Sequence, residues 1–289
     1  MTVTIKQATF TRKISASLDP LRDHAVWFNR ELETWINALG PDYIELKAGV
    51  DNWSNLTSYS QNHGSVMRIY SDGDRSGADT TNSERYLWLS FSEYWQPYWY
   101  TRWSQSTSNN GLGTPSGDND PLNYTSSRPF YSSYYSNPKQ NIIIWDDNPD
   151  SAFFCWRHMA DTGYNKLEGL FRMPNVDTTD CPEDVGNGWA WFNAYHRNTN
   201  PLTCIDHTAK HPWKGHSYSS NNLFPSSSYD VGQVYTNLPV TSGRLNYMGN
   251  LGNSVIYMPG TSLSPLTRLN LGGVEYTTMY SEWAVRTDG

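Results

Sequence analysis

The 289 residues include 13 Trp and 20 Tyr, yet only 17% are charged and 37% hydrophobic, a neutral-polar, aromatic-rich and aliphatic-poor balance. A net charge of -7 without Lys/Arg clusters argues against a nucleic-acid grip, which needs a basic patch, and no run is apolar for long enough to cross a bilayer. Such a chain can bury a core without disulfides or metal, and its composition favours many short strands with ring-lined surfaces over a helical enzyme core.

Residues 1–18 read as an extended arm or edge strand, with Val3, Ile5, Phe10 and Ile14 in a polar background. The opening MTVTIKQATFTRKIS has no apolar h-region, so no secretory signal is expected. The sequons at Asn52, Asn55 and Asn123 therefore read as chance matches. Cys155, Cys181 and Cys204 are odd in number and widely spaced, as in a chain made with reduced thiols in a cytosol. One amphipathic helix is predicted over 19–40: Asp19 caps it, Pro20 suits its first turn and Gly40-Pro41 closes it. Leu21, Ala25, Phe28, Leu32, Ile36 and Leu39 recur at steps of three and four, and Trp27 and Trp35 widen that apolar face. A face of this kind covers a sheet or packs on a neighbouring subunit.

Short strands are expected at Tyr43–Leu46 and Val66–Tyr70, with a polar loop at 71–84. The stretch Arg85–Trp103 organises the chain. Leu87, Leu89 and Phe91 alternate with Tyr86, Trp88, Ser90 and Ser92, then Trp99, Thr101 and Trp103 alternate with Tyr98, Tyr100 and Arg102, with Gln96-Pro97 between. Period two on both sides of a turn signal predicts a β-hairpin with rings on both faces. A long Ser/Tyr-rich loop over 104–138 follows, and its tyrosines suggest that it lies against protein. Next comes an antiparallel meander of Asn141–Asp146, Ser151–Ala160 and Tyr164–Met173 on short turns. Trp189–His196 reads as a strand, 197–250 as mostly irregular, and Ser254–Met258 and Gly273–Met279 as two last strands. The expectation is one mainly β domain over 1–289, built of antiparallel meanders in a sandwich or barrel, with a single N-terminal helix.

Three segments carry a resemblance. The run YNKLEGLFRMP at 164–174 follows a two-strand hairpin and precedes a loop holding Pro182 and Gly188; YLWLSFSEYWQPYWYTRW spans 86–103; and Gly272-Gly273-Val274-Glu275-Tyr276 lies near the end. Together they resemble a family of tailed-bacteriophage virion proteins with a Trp-ended strand, a polar turn, a hydrophobic strand and a Tyr-x4-Gly-aromatic-Pro segment. The likeness follows about two thirds of the order of elements by pattern, and the Trp156-Arg157-His158 segment and the tyrosine-rich loop depart from it. It implies a structural part of the neck, tail or baseplate, with no catalytic residues to carry over. The implied partners are copies of the chain and other virion proteins.

Several constellations compete with that reading. Cys204-x2-His207-x3-His211-x4-His216 has ligand types that zinc accepts, but the order is not that of a familiar finger and Pro212 interrupts any helix aligning His207 with His211. Ordinary loop histidines are the simpler expectation. Asp72-Gly73-Asp74-Arg75-Ser76-Gly77 imitates the start of a calcium loop, but its twelfth place is Ser83, so a solvated turn is expected. Glu93, Asp146, Asp147 and Glu168 offer carboxylates near aromatic strands, with nothing to fix a hydrolytic pair. Nucleophile and phosphate-loop motifs are missing. Neither an enzyme nor a cofactor is expected. The residues expected to meet a neighbour are Trp88, Trp95, Tyr98, Trp99, Tyr100 and Trp103, with Tyr131, Tyr134 and Tyr135 of the long loop, about half of the hairpin set being core. The alternative is a glycan- or host-receptor-binding module of the virion, because sugars also stack on Trp and Tyr.

Overall fold

The computed structural model describes residues 3–10, 19–48, 63–70, 84–92, 98–104, 125–127, 139–158, 166–176, 189–195, 203–204, 233–241, 247–258, 260–280 and 282–289, with the backbone alone for some of these, including 63–127. In chain order the elements begin β1 (Thr4–Phe10), α1 (Asp19–Leu39), β2 (Ile44–Ala48), β3 (His63–Tyr70), β4 (Glu84–Ser92), β5 (Tyr98–Ser104) and β6 (Thr125–Ser127). The meander β7 (Lys139–Asp146), β8 (Phe153–His158) and β9 (Lys166–Arg172) follows, then β10 (Asn175–Val176), β11 (Trp189–Tyr195) and β12 (Thr203–Cys204). The last described elements are β13 (Pro239–Thr241), β14 (Tyr247–Asn250), β15 (Val255–Tyr257), β16 (Arg268–Leu271), β17 (Val274–Tyr280) and β18 (Trp283–Arg286). Among the described residues the fold is mainly β with one helix, as the composition and periodicity predict.

The chain, read from sequence as one domain, divides into two compact units. The first comprises Met1–Lys6, Ile142–Arg157 and Asn165–Gly289, and the second Gln7–Asn141 and His158–Tyr164. In the second unit α1 keeps the predicted start and ends one residue before Gly40. That glycine adopts φ +101° and its N–H donates to Ile36 O at 3.0 Å, the left-handed stop that a side chain would strain. Phe28, Leu32, Trp35, Ile36 and Leu39 are buried at the three-and-four spacing, and the helix packs on β2, whose Ile44 is fully buried. β2 begins the five-stranded antiparallel sheet β2-β3-β4-β5-β6.

The larger sheet, β1-β7-β8-β9-β11-β12-β13-β14-β10, has nine strands, of which β12 and β13 run parallel. The β7–β8 hairpin is antiparallel as expected, and its apolar residues do not alternate. Ile142, Ile143, Ile144 and Trp145 are all buried, as are Phe153, Phe154, Cys155 and Trp156. A strand covered on both faces needs apolar side chains at every position, which is why the sequence there is a continuous apolar run. The four-stranded sheet β15-β18-β17-β16 is antiparallel, and its β17 packs against β9. Ile256, Met258, Tyr276 and Ala284 form a small core on this second sheet, flanked by Leu263, Leu269, Leu271 and Val274.

One expectation gains detail and another needs correction. Of the span 197–250, read as mostly irregular, the described parts hold β12, β13 and β14; β13 and β14 pair with each other, while β12 and β14 also reach partners distant in sequence. The chain ends in four strands rather than two. β16 and β17 are joined through Gly272-Gly273, whose φ angles of +63° and +89° suit a tight two-residue hairpin turn. Among the described residues no helix is long and apolar enough to cross a membrane.

Candidate interaction surface

The aromatic hairpin exists as the alternation predicts. β4 and β5 pair antiparallel with Leu87 opposite Trp103, Leu89 opposite Thr101 and Phe91 opposite Trp99. In between, Trp88 is opposite Arg102, Ser90 opposite Tyr100 and Ser92 opposite Tyr98. The register continues inward: Leu87 meets Met67 on β3, Arg85 meets Ile69, and Ile69 meets Ile44 on β2. Residues directly opposite one another share a face, and successive residues change face. Trp99 and Trp103 therefore belong to the face of Leu87, Leu89 and Phe91, the one that also carries buried Ile44. Trp88, Tyr98 and Tyr100 hold positions on the opposite face, beside Tyr86, Arg102 and Arg68. The nine expected interface residues thus separate into two positions on the Ile44 face, three positions on the other face, and Trp95, Tyr131, Tyr134 and Tyr135, which lie outside the described residues.

The competing constellations separate in the same way. Cys204 is in β12 opposite Ala190, while His207, His211 and His216 lie outside the described residues, as do 71–83 and Glu93. Among the described residues no three His, Cys, Asp or Glu side chains gather as a metal site would require. Glu168 is in β9 opposite Asn193. Asp146 is buried at the end of β7, where it closes the turn to β8: Asn148 N–H donates to its Oδ1 at 3.1 Å and Ser151 Oγ to its Oδ2 at 2.7 Å. Both carboxylate oxygens are thereby engaged in holding the chain reversal. Ser151→Ala removes one donor from this buried acceptor, and unfolding free energy should fall by about 2 kcal/mol. A shift below about 0.5 kcal/mol in denaturant unfolding would mean that the bond adds nothing net.

A cleft of about 170 Å³ opens beside this turn, lined by Asp146, Ser151, Phe153, Ser254 and Arg286 among others. Its volume is below the several hundred Å³ that small-molecule sites usually enclose. Arg286 spends its guanidinium on Asp288, with which it pairs through Nε. That hydrogen bond raises the Arg286 pKa and is the main cause holding the Asp288 carboxyl below its usual range. Cys155 offers no nucleophile. Burial pushes its thiol far above the ordinary range, against a smaller opposite effect of its hydrogen bond to Ile144 O at 3.4 Å.

Sequence reasoning also passed over the outer strand of the four-stranded sheet. β16 ends that sheet, and its residues alternate between exposed and half-buried, with the Arg268 guanidinium 3.8 Å from the Glu275 carboxylate. The Gly-Gly pair between two apolar runs was the available signal. No protein-family model, no curated protein and no solved structure matches the chain.

Proposed function

We propose that the chain is a structural subunit of a tailed-phage virion, which builds a ring or sleeve of the neck, tail or baseplate through aromatic protein–protein contacts, without catalysis. The observation that supports this most is the β4–β5 register. It gives Trp88, Tyr98 and Tyr100 positions on the face opposite the one that carries buried Ile44, so three ring-bearing positions share one face. Tyr and Trp are the side chains best suited to anchor such a contact, because each brings a large rigid area and a hydrogen-bonding tip. The part the protein plays on this reading is geometric, with repeated copies presenting the same patch in a symmetric assembly.

The test compares two variants of the full chain. Trp88, Tyr98 and Tyr100 changed together to Ala should leave circular dichroism and the unfolding midpoint nearly unchanged and abolish higher assembly in sedimentation, and particles made with this variant should lack the protein. Trp99 and Trp103 changed to Ala, at positions on the Ile44 face, should instead lower the unfolding midpoint and leave assembly of the folded chain intact. Undisturbed assembly of the triple variant would overturn the reading. If that variant also lost binding on a glycan array, the face would belong to a sugar.

A further inference from the structure

We propose that β16 is a docking edge for β16 of a second copy of this chain, paired antiparallel about a two-fold axis through Leu269. The argument starts from the direction of backbone groups. The two-residue Gly272-Gly273 turn makes Leu271 and Val274 a hydrogen-bonded pair, and antiparallel alternation then makes Leu269 and Tyr276 the next one. Thr278 N–H donating to Thr267 O at 2.9 Å has the same phase. So does Glu275, whose carbonyl accepts from Thr287 N–H at 2.8 Å, on the side away from β16. Arg268 and Asn270 consequently aim their N–H and C=O groups outward from the sheet, and both residues are exposed. No proline and no bulge interrupts Arg268–Leu271, so the edge lacks two of the devices that usually guard one.

Self-pairing uses every one of these groups. Centred on Leu269, it sets Arg268 of one copy against Asn270 of the other twice over, and each match exchanges two hydrogen bonds. The charges agree as well. Within one copy the Arg268 side chain is 72% exposed and only 3.8 Å from Glu275. In the pair, Arg268 of the second copy comes alongside Asn270, and Glu275 is the next residue in that cross-strand row. Each Glu275 then has a guanidinium from both copies within side-chain reach, which offsets the like charge of the two Arg268 side chains, diagonal neighbours across the axis. Leu269, half-buried in one copy, meets its own equivalent in a non-hydrogen-bonded pair, where facing side chains are nearest.

Leu269→Cys in the full chain reads this geometry directly. Under mild oxidation it should form an intermolecular disulfide between equivalent positions, identified by peptide mapping, while Leu271→Cys, offset from the axis, should not. Arg268→Glu places like charges in the row and should abolish coupling; combining it with Glu275→Arg should restore it. Sedimentation of the cysteine-unmodified chain should show the same loss with Arg268→Glu and the same recovery. The Trp88, Tyr98 and Tyr100 triple variant should keep this contact, so failure of the aromatic reading and failure of this one are distinguishable. The proposal is overturned if Leu269→Cys does not couple to itself, which leaves the edge to another protein's strand, if both cysteine positions couple equally, or if coupling ignores the charge reversal.

Discussion

Gly169→Ala is expected to destabilise the first unit by about 3 kcal/mol, although alanine is the smallest side chain that could be added. A Cβ at this position would lie 2.6 Å from Cys155 Cβ, 2.8 Å from the Phe154 carbonyl oxygen and 2.8 Å from Phe171 Cε2. None of the three can retreat cheaply. The Phe154 oxygen is backbone in the middle of the sheet, and Cys155 is fully buried, with its sulfur on Ile144 O. The Phe171 ring is stacked on Phe153 at 5.3 Å and 20°. Glycine in a strand is weak in itself, and alanine would recover about 0.5–1 kcal/mol through the unfolded chain. Overpacking outweighs that gain because three fixed groups must shift at once. Cys155→Ala should not rescue the variant, since it keeps the Cβ that collides; Phe171→Leu should rescue in part by removing the ring edge. Denaturant unfolding followed by circular dichroism measures each value. A Gly169→Ala change within about 0.5 kcal/mol of wild type would mean that the strands separate there without cost.

The same glycine shows what sequence can and cannot disclose. Its place in YNKLEGLFRMP was visible, but the reason for it was not, because Cys155 and the Phe154 carbonyl become its walls only once β8 and β9 are paired. Elements whose signal is local were legible: α1 from its three-and-four spacing between Asp19 and Gly40, the β4–β5 hairpin from its alternation, and β7 to β9 from apolar runs separated by Asp-Asn-Pro-Asp and Asp-Thr-Gly. Strands too short to show a period were not. β13 is three residues long, begins at Pro239 and takes its register from the adjacent β14, with an irregularity at Val240/Thr241, so neither period nor composition announces it. The cleft at Asp146 was equally hidden, since it gathers residues from 146–153, Ser254 and Arg286. For the interface set, the sequence held the face of each hairpin residue through its parity. It did not say which of those faces is buried; at β2 that comes from Ile44.

Trp35→Ala should cost about 3–5 kcal/mol, the range for emptying a large aromatic site in a close-packed core. Trp35 is fully buried, whereas Trp27, eight positions earlier and counted with it from sequence as widening the apolar face, is only half-buried. The difference follows from helix geometry. Trp35 is three residues after Leu32 and four before Leu39, both buried, and stands within about 60° of each and about 20° of Phe28 around the axis, while Trp27 is next to Phe28 and a full 100° around the axis from it, on the side away from Ile36. Alanine has the better helix propensity, but that gain is under 1 kcal/mol and cannot offset the cavity. Trp35→Phe keeps most of the buried volume and should cost less than half as much, and Trp27→Ala less than Trp35→Ala. Unfolding monitored at the helical circular dichroism band gives all three. If Trp27→Ala proved the costlier of the two alanine variants, the packed side of α1 would have to be the one on which Trp27 stands.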